Sequence, residues 1–272
     1  MIAFPNCKIN LGLHILRKRA DGFHDLETVF YPIRLQDGLE IVQNAAPVSD
    51  VQFTTSGLKV DASPEENICF RAYQLVKKDF PELPSIIMHL HKVIPSGGGL
   101  GGGSSNGAFT LTLLNKKFNL QLTEEKLIDY ALQLGSDCPF FIKNKPCYAT
   151  GRGEKLEEIS LDLSRYKMVL VNPGIHVNTK QAFSKITPSD KQTSIKEIIQ
   201  RPVVEWKNIL KNDFEESVFA GHPEIKTIKE KLYGHGAVYA SMSGSGSTVY
   251  GLFNKNSELQ PDFPDHYFIK QV

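Results

Sequence analysis

No apolar run in these 272 residues approaches the roughly 18 consecutive residues that a membrane-crossing helix needs, so a spanning segment is not expected. Cysteine is scarce as well. Cys7, Cys69, Cys138 and Cys147 lie far apart with no C-x-x-C pair, which argues against a disulfide framework or a zinc site and for reduced, scattered thiols. Nor is there an excess of charge. The 31 Lys and Arg against 30 Asp and Glu give a formal +1, which argues against nucleic acid as the main partner and leaves room for a small anion at a local positive site. The opening MIAFPNCKINLG sets Pro5 and Lys8 where a signal peptide needs an unbroken apolar segment, so a cytoplasmic location is expected. What remains is an ordinary globular composition, 41% hydrophobic and 22% charged, long enough for two lobes or one large domain with a proper core.

The stretch KINLGLHIL alternates, with Ile9, Leu11, Leu13 and Ile15 on one face and Lys8, Asn10, Gly12 and His14 on the other. That pattern predicts a half-buried strand with a polar face. A basic loop, RKRADGFHDL, leads into ETVFYPIRL, and Asp37-Gly38 before LEIVQ reads as a hairpin turn. Ile68, Ala72, Leu75 and Val76 follow helical spacing, and SIIMHLHKVI alternates again. A further helix is expected from Thr123, with Glu124 and Glu125 in its first turn and Gly135 past its end. After residue 160 come a strand in YKMVLVNPG, an exposed loop and short helix over 185–200, a helix in PEIKTIKEKLYG, and two strands, AVYAS and TVYGLF, around the loop MSGSGS. A domain boundary is expected near 155–165, dividing the chain into 1–158 and 159–272.

Between the SIIMHLHKVI strand and a periodic helix stands IPSGGGLGGGSSNGA. Ser104 or Ser105 can cap that helix, whose apolar stripe takes Ala108, Leu111, Leu114 and Phe118. Glycines ahead of a helix N-terminus let backbone N–H groups close on an anion, and a phosphate is the natural occupant; the alternative is a flexible linker. The Walker pattern fails, because Gly98 and Gly103 have its spacing but position 104 is Ser where Lys is required. Gly97, Gly99 and Gly102 satisfy G-x-G-x-x-G, a match that so glycine-rich a run makes almost automatically.

PSGGGLGGGSSNGA resembles the ATP-phosphate motif of the superfamily of galactokinase, homoserine kinase, mevalonate kinase and phosphomevalonate kinase. PNCKINLGLHI and SMSGSGSTVYGLF are similar to its first and third motifs. The combination with RADGFH and LGSDCPFF resembles the branch that phosphorylates the 2-hydroxyl of 4-diphosphocytidyl-2-C-methyl-D-erythritol on the non-mevalonate isoprenoid route. The resemblance implies an α+β, two-lobed small-molecule kinase fold with its active site in the cleft between lobes, an ATP-binding and catalytic part over 1–158 and a substrate-binding part over 159–272. It implies ATP with Mg2+, and a chain that acts as a monomer or homodimer. Another small-alcohol kinase of the superfamily, or a nucleotide-binding protein without turnover, stands as the alternative. Two positions differ from common usage in that branch: Phe23 stands where Tyr is frequent, and Asn106 where some relatives carry Asp.

Carried over residue by residue, Asp137 resembles the catalytic base, although Asp before Cys138-Pro139 also suits a helix N-cap. Lys8 resembles the lysine that keeps that carboxylate ionised and polarises the acceptor, with Asn10 beside it on the same strand face as a substrate contact. Phe23 and His24 are expected to read cytosine by stacking and by edge hydrogen bonds, with Phe183 as the opposite stacking face. Pro95, Ser96, Gly97, Gly98, Gly99, Leu100, Gly101, Gly102, Gly103, Ser104 and Ser105 would hold the phosphates, Asn67 and Lys92 the adenine. No dedicated metal ligand is assigned; His89 and His91 share a strand face that reads as solvated.

Overall fold

The alternation in SIIMHLHKVI becomes the strand Ile86–Lys92, whose side chains switch between buried and more open positions residue by residue. In the computed structural model, residues 1–45, 49–60, 63–184, 186, 188, 193–258 and 262–272 are described. They form two units, each assembled from separated stretches: Met1–Cys7, Arg34–Ser96 and Gly101–Lys145 in the first, Lys8–Ile33, Gly97–Leu100 and Pro146–Val272 in the second.

The first unit holds a sheet in the order Ile2–Ala3, Gly38–Gln43, Ile86–Lys92, Val51–Gly57. The last two strands run parallel, in register from Val51↔Ile86 to Gly57↔Lys92, and parallel neighbours need a crossover. Helix Ile68–Asp79 supplies it, capped by the Asn67 side chain, which accepts from the Cys69 N–H. Helices Gly102–Phe118, Glu124–Leu134 and Cys138–Lys143 complete the unit. The predicted stripe of the long helix is buried at Ala108, Leu111 and Leu114, and the latter two join Leu39, Ile41, Met88, Tyr73 and Val76 in one core. Thr123 and Gly135 cap the next helix as the sequence predicts.

The second unit holds two sheets. One is ordered Asn6–Lys18, His24–Gln36, Cys147–Gly151, Lys155–Glu158; the other is the antiparallel array Tyr239–Met242, Val249–Asn254, Tyr166–Asn172, Phe268–Gln271. Helices Phe214–Gly221 and Pro223–Gly234 bury Phe214, Val218, Ile225 and Ile228 in the same core as Val169, Val171 and Val249. The expected loop over 185–200 lies partly outside the described residues. Its expected short helix is Ile195–Ile198, which buries Ile195 and Ile198 and leaves Glu197 exposed.

Three local expectations need correction. The polar face of Asn6–Lys18 does not meet solvent: Lys8, Asn10 and His14 are each at most 5% exposed, because each finds a polar partner within the second unit. Asp37-Gly38 is not a hairpin turn, since Gly38–Gln43 pairs with Ile2–Ala3 and Ile86–Lys92 in a different sheet from His24–Gln36. The Asp37 carboxylate instead accepts from four donors of the first unit: Lys92 Nζ, Asn106 Nδ2 and the N–H groups of Val93 and Ile94. Finally, neither Ser104 nor Ser105 caps the long helix. It begins earlier, at Gly102, behind a left-handed Gly101 that makes no side-chain cap bond. Among the described residues no helix is long and apolar enough to cross a membrane.

Candidate active site

Within the second unit the N-terminal strand, the middle of the glycine run and the late Gly/Ser loop meet. The Lys8 N–H donates to the Leu100 carbonyl at 2.9 Å, and its ammonium donates to Asn10 Oδ1 at 2.6 Å and to the Gly99 carbonyl at 3.3 Å. Lys8 Nζ also sits 4.8 Å from the centre of the Phe30 ring, a cation held over a π face. The Ser243 hydroxyl accepts from the Asn10 N–H at 3.1 Å and donates to the Gly99 carbonyl at 2.8 Å, which ties the early strand to both loops through one group. Thr248 N–H donates to the Gly98 carbonyl at 3.1 Å, and Asn172 Nδ2 braces the Thr248 hydroxyl at 2.9 Å. The amide of Asn10 is itself oriented, because its Nδ2 donates to Thr28 Oγ1 at 3.0 Å.

Gly99 shows why this approach demands bare backbone. Its φ is +78°, and a Cβ there would lie 2.0 Å from the Ser243 carbonyl oxygen, a backbone atom that cannot swing aside. Gly99→Ala is therefore expected to push the two loops apart and raise KM for ATP at least about tenfold, whereas Gly103→Ala, where nothing lies within 4 Å, should be nearly silent. Steady-state kinetics on the pair checks this, and equal effects at both positions would refute it.

In the first unit, the same run opens the helix Gly102–Phe118, and its leading N–H groups carry no side-chain cap. Uncapped N–H groups plus the helix dipole make an anion site. One turn on, Ser105 is fully buried and its Oγ has no hydrogen-bond partner among the described residues. A lone buried hydroxyl beside such a helix end suits an oxygen-seeking cation carried in with an anion.

Asp137 occupies the N-cap position of Cys138–Lys143 in αR backbone (φ −85°, ψ −14°), and its carboxylate makes no capping bond. The helix-start reading of this residue is thus not realised by its side chain. Its neighbour Cys138 is no rival nucleophile, since burial pushes that thiol up to about 12. The two residues expected at adenine are partly committed elsewhere: Asn67 spends Oδ1 on its cap at 3.0 Å, and Lys92, 3% exposed, donates to Asp37 at 2.5 Å and to Asn106 Oδ1 at 3.0 Å. Sequence reasoning overlooked Asp37, whose other oxygen accepts the N–H groups of Val93 and Ile94, immediately before Pro95. It overlooked Asn172 too, whose signal is a polar residue ending the apolar run VLV ahead of Pro-Gly.

The tip of the first hairpin is held by charge. Arg19 pairs with Asp21 and Asp25, Arg17 with Asp25, and Asp21 Oδ1 accepts the Phe23 N–H at 3.1 Å. The next residue, His24, stacks on Phe183 with ring centres 4.9 Å apart and planes 15° from parallel. Phe183 therefore backs His24 in this structure, while Phe23 is an exposed residue. Burial, helped by the charge of Lys18, holds the His24 imidazole below its usual 6.5. The ring is then neutral near pH 7, with one nitrogen donating and one accepting. We expect an NMR titration to place His24 below 6.5, with affinity for a base-bearing ligand falling as the ring protonates. The sign follows from linkage: the unfolded chain binds the proton first, so stability also declines as pH falls from 6.5 toward the lowered folded value. A His24 midpoint at or above 6.5 would overturn the prediction.

His89 and His91 hydrogen-bond to Thr54 and Ser56 of the neighbouring strand, and among the described residues no group of three or more His, Cys, Asp and Glu is placed to hold a metal.

Residues 67–145 match the GHMP kinases N terminal domain and residues 194–261 the GHMP kinases C terminal family. The 4-diphosphocytidyl-2-C-methyl-D-erythritol kinase of Bacteroides fragilis is 53% identical over 259 residues, covering 95% of this chain and 94% of that one. The chain belongs to the 4-diphosphocytidyl-2-C-methyl-D-erythritol kinase family. A crystal structure of a 4-(cytidine 5'-diphospho)-2C-methyl-D-erythritol kinase superposes with a TM-score of 0.81 at 29% identity, over 93% of this chain and 90% of that one. A mevalonate kinase structure superposes at 0.70 with 14% identity, over 94% and 92%, and shares the fold. Membership in this kinase family makes the α+β fold that of a GHMP kinase and ATP its phosphoryl donor.

Proposed function

We propose that this chain transfers the γ-phosphate of ATP to the 2-hydroxyl of 4-diphosphocytidyl-2-C-methyl-D-erythritol, giving the 2-phosphate and ADP on the non-mevalonate route to isoprenoid precursors. The near-full-length 53% identity to the Bacteroides fragilis enzyme carries this reading. In the reaction the 2-hydroxyl oxygen bonds to the γ-phosphorus, the bridging P–O bond breaks with its electron pair leaving on ADP, and the hydroxyl proton must be taken up.

Asp137 is the proposed acceptor of that proton, and its place in GSDCP, the segment that resembles the family's catalytic motif, supports the role. Lys8 is proposed to set a positive charge by the reacting groups, oriented by Asn10, whose Oδ1 keeps acceptor capacity for substrate. The proposed phosphate cradle is Pro95 to Ser105, backbone N–H groups and the helix end replacing a Walker lysine. Mg2+ would sit at Ser104 and Ser105, where the orphaned Ser105 Oγ fits it, and when bound it neutralises charge on the phosphates. The amide nitrogen of Asn67, whose Oδ1 serves the helix cap, and the Lys92 stem are proposed at adenine. Phe23, His24 and Phe183 are proposed at cytosine, Phe23 by its open face and Phe183 by holding the His24 edge in place. We further propose a cytoplasmic enzyme, monomeric or homodimeric, with ATP binding and catalysis centred in 1–158 and substrate binding completed by 159–272.

The test is ADP release with magnesium-ATP and, in turn, the cytidyl diphosphate alcohol, mevalonate, homoserine and galactose. Turnover on the cytidyl compound alone is expected. Preference for one of the other alcohols, or no stimulation by any, would refute the assignment.

A further inference from the structure

Phe23 presents an unusual surface. Its backbone is fixed from both sides, with the N–H donating to Asp21 and the carbonyl accepting from the Arg19 N–H at 2.8 Å, yet the residue is 54% exposed. The ring has a neighbour from another loop. Leu26 pairs with Gly151 and Glu27 with Thr150, and this register brings the turn after Cys147–Gly151 alongside the hairpin tip. From that turn Arg152 extends its guanidinium over the Phe23 ring, 5.0 Å from the ring centre. The turn itself is anchored: the Arg152 N–H donates to Glu154 Oε2 at 2.6 Å, the Gly153 N–H to the Thr150 carbonyl at 3.1 Å, and Glu154 Oε1 lies 3.8 Å from Arg152 Nε.

We propose that Arg152 is a positioning residue for base recognition, its guanidinium backing one face of Phe23 so that the other face is presented to the cytosine ring. The inference rests on the functional reading above. A planar cation over a phenyl face is attracted by the ring quadrupole, and the contact holds the ring plane that a free side chain would have to find on binding. A tyrosine at this position could be held by a hydrogen bond through its hydroxyl; phenylalanine has no such handle, so orientation falls to the face contact. The result is a three-layer stack of guanidinium, phenyl and base, with His24 next in sequence to read the base edge.

Arg152→Ala is expected to raise KM for the cytidyl substrate about three- to tenfold while leaving kcat and KM for ATP within about twofold. Arg152→Lys should fall between the two, because an ammonium stacks less well than a guanidinium. The decisive arm is the Phe23→Leu background, where there is no ring to back and Arg152→Ala should add nothing further. An Arg152→Ala effect of the same size in that background would mean direct contact with the substrate and would overturn the proposal, as would a loss confined to kcat or no change in KM. These outcomes are separable from failure of the functional reading, which would appear as a native protein that does not turn over the cytidyl substrate at all.

Discussion

Asp137→Asn is expected to lower kcat on the cytidyl substrate by about 10²- to 10⁴-fold, the range a positioned general base supplies. KM for ATP should stay within about threefold, because the change removes an interaction needed only as the hydroxyl gives up its proton. The structure lets this effect be separated from unfolding. An aspartate that caps a helix through its carboxylate stabilises it by about 1 kcal/mol, and asparagine would cap equally well. Asp137 holds the cap position with αR backbone and no side-chain capping bond, so neither replacement removes a helix cap. Asp137→Ala should behave like Asp137→Asn in kinetics, and thermal melts of both variants report any loss of folding separately from the loss of turnover. Activity within tenfold of native in either variant would remove Asp137 from the role of base.

Asp37→Ala should produce the largest loss of stability. The side chain is 1% exposed and accepts from Lys92 Nζ at 2.5 Å, Asn106 Nδ2 at 2.8 Å and the N–H groups of Val93 at 2.7 Å and Ile94 at 2.9 Å. Removing it strands the buried Lys92 ammonium with Asn106 Oδ1 at 3.0 Å and leaves two backbone donors unmet. Breaking one side of a buried pair costs about 3–5 kcal/mol, or roughly 10 °C in melting temperature for a chain of this size. Asp37→Leu with Lys92→Met should recover part of that, since an apolar pair replaces the charged one without a stranded partner. The same substitution should weaken ATP binding. Val93 and Ile94 lead directly into Pro95, and Asn106 lies in the helix that the glycine run opens, so Asp37 fastens both ends of the run. Thermal melts and ATP titrations on the single and double variants check both parts, and a melting temperature within 3 °C of native in Asp37→Ala would contradict the account.

Much of the local structure was legible because it depends on neighbours in sequence. The helix Glu124–Leu134 is bounded by Thr123 and Gly135, whose side-chain and backbone chemistry acts over one turn. The strand Ile86–Lys92 follows from period-two alternation, and the stripe at Ala108, Leu111 and Leu114 from period 3.6. The misses have a common cause. Alternation on Asn6–Lys18 says that two faces differ, and only packing decides whether the polar face meets water or, as here, Asn10, Thr28, Glu27 and a glycine carbonyl. Asp-Gly is ordinary turn chemistry, and nothing near Asp37 in sequence announces a lysine 55 residues away.

The order of motifs, the glycine run without a Walker lysine and the ADGFH segment determined by themselves which kinase branch this chain resembles, because the residues that carry the resemblance stand in contiguous stretches. Tertiary structure decided which of those residues are available to act. Lys8 meets the Gly99 carbonyl 91 positions along the chain, Ser243 joins strand to loop across 233, and Arg152 reaches Phe23 only through the register of Leu26 with Gly151. Hydrogen bonds and stacking act over a few ångströms regardless of sequence separation, so these placements become visible only once the chain has closed on itself.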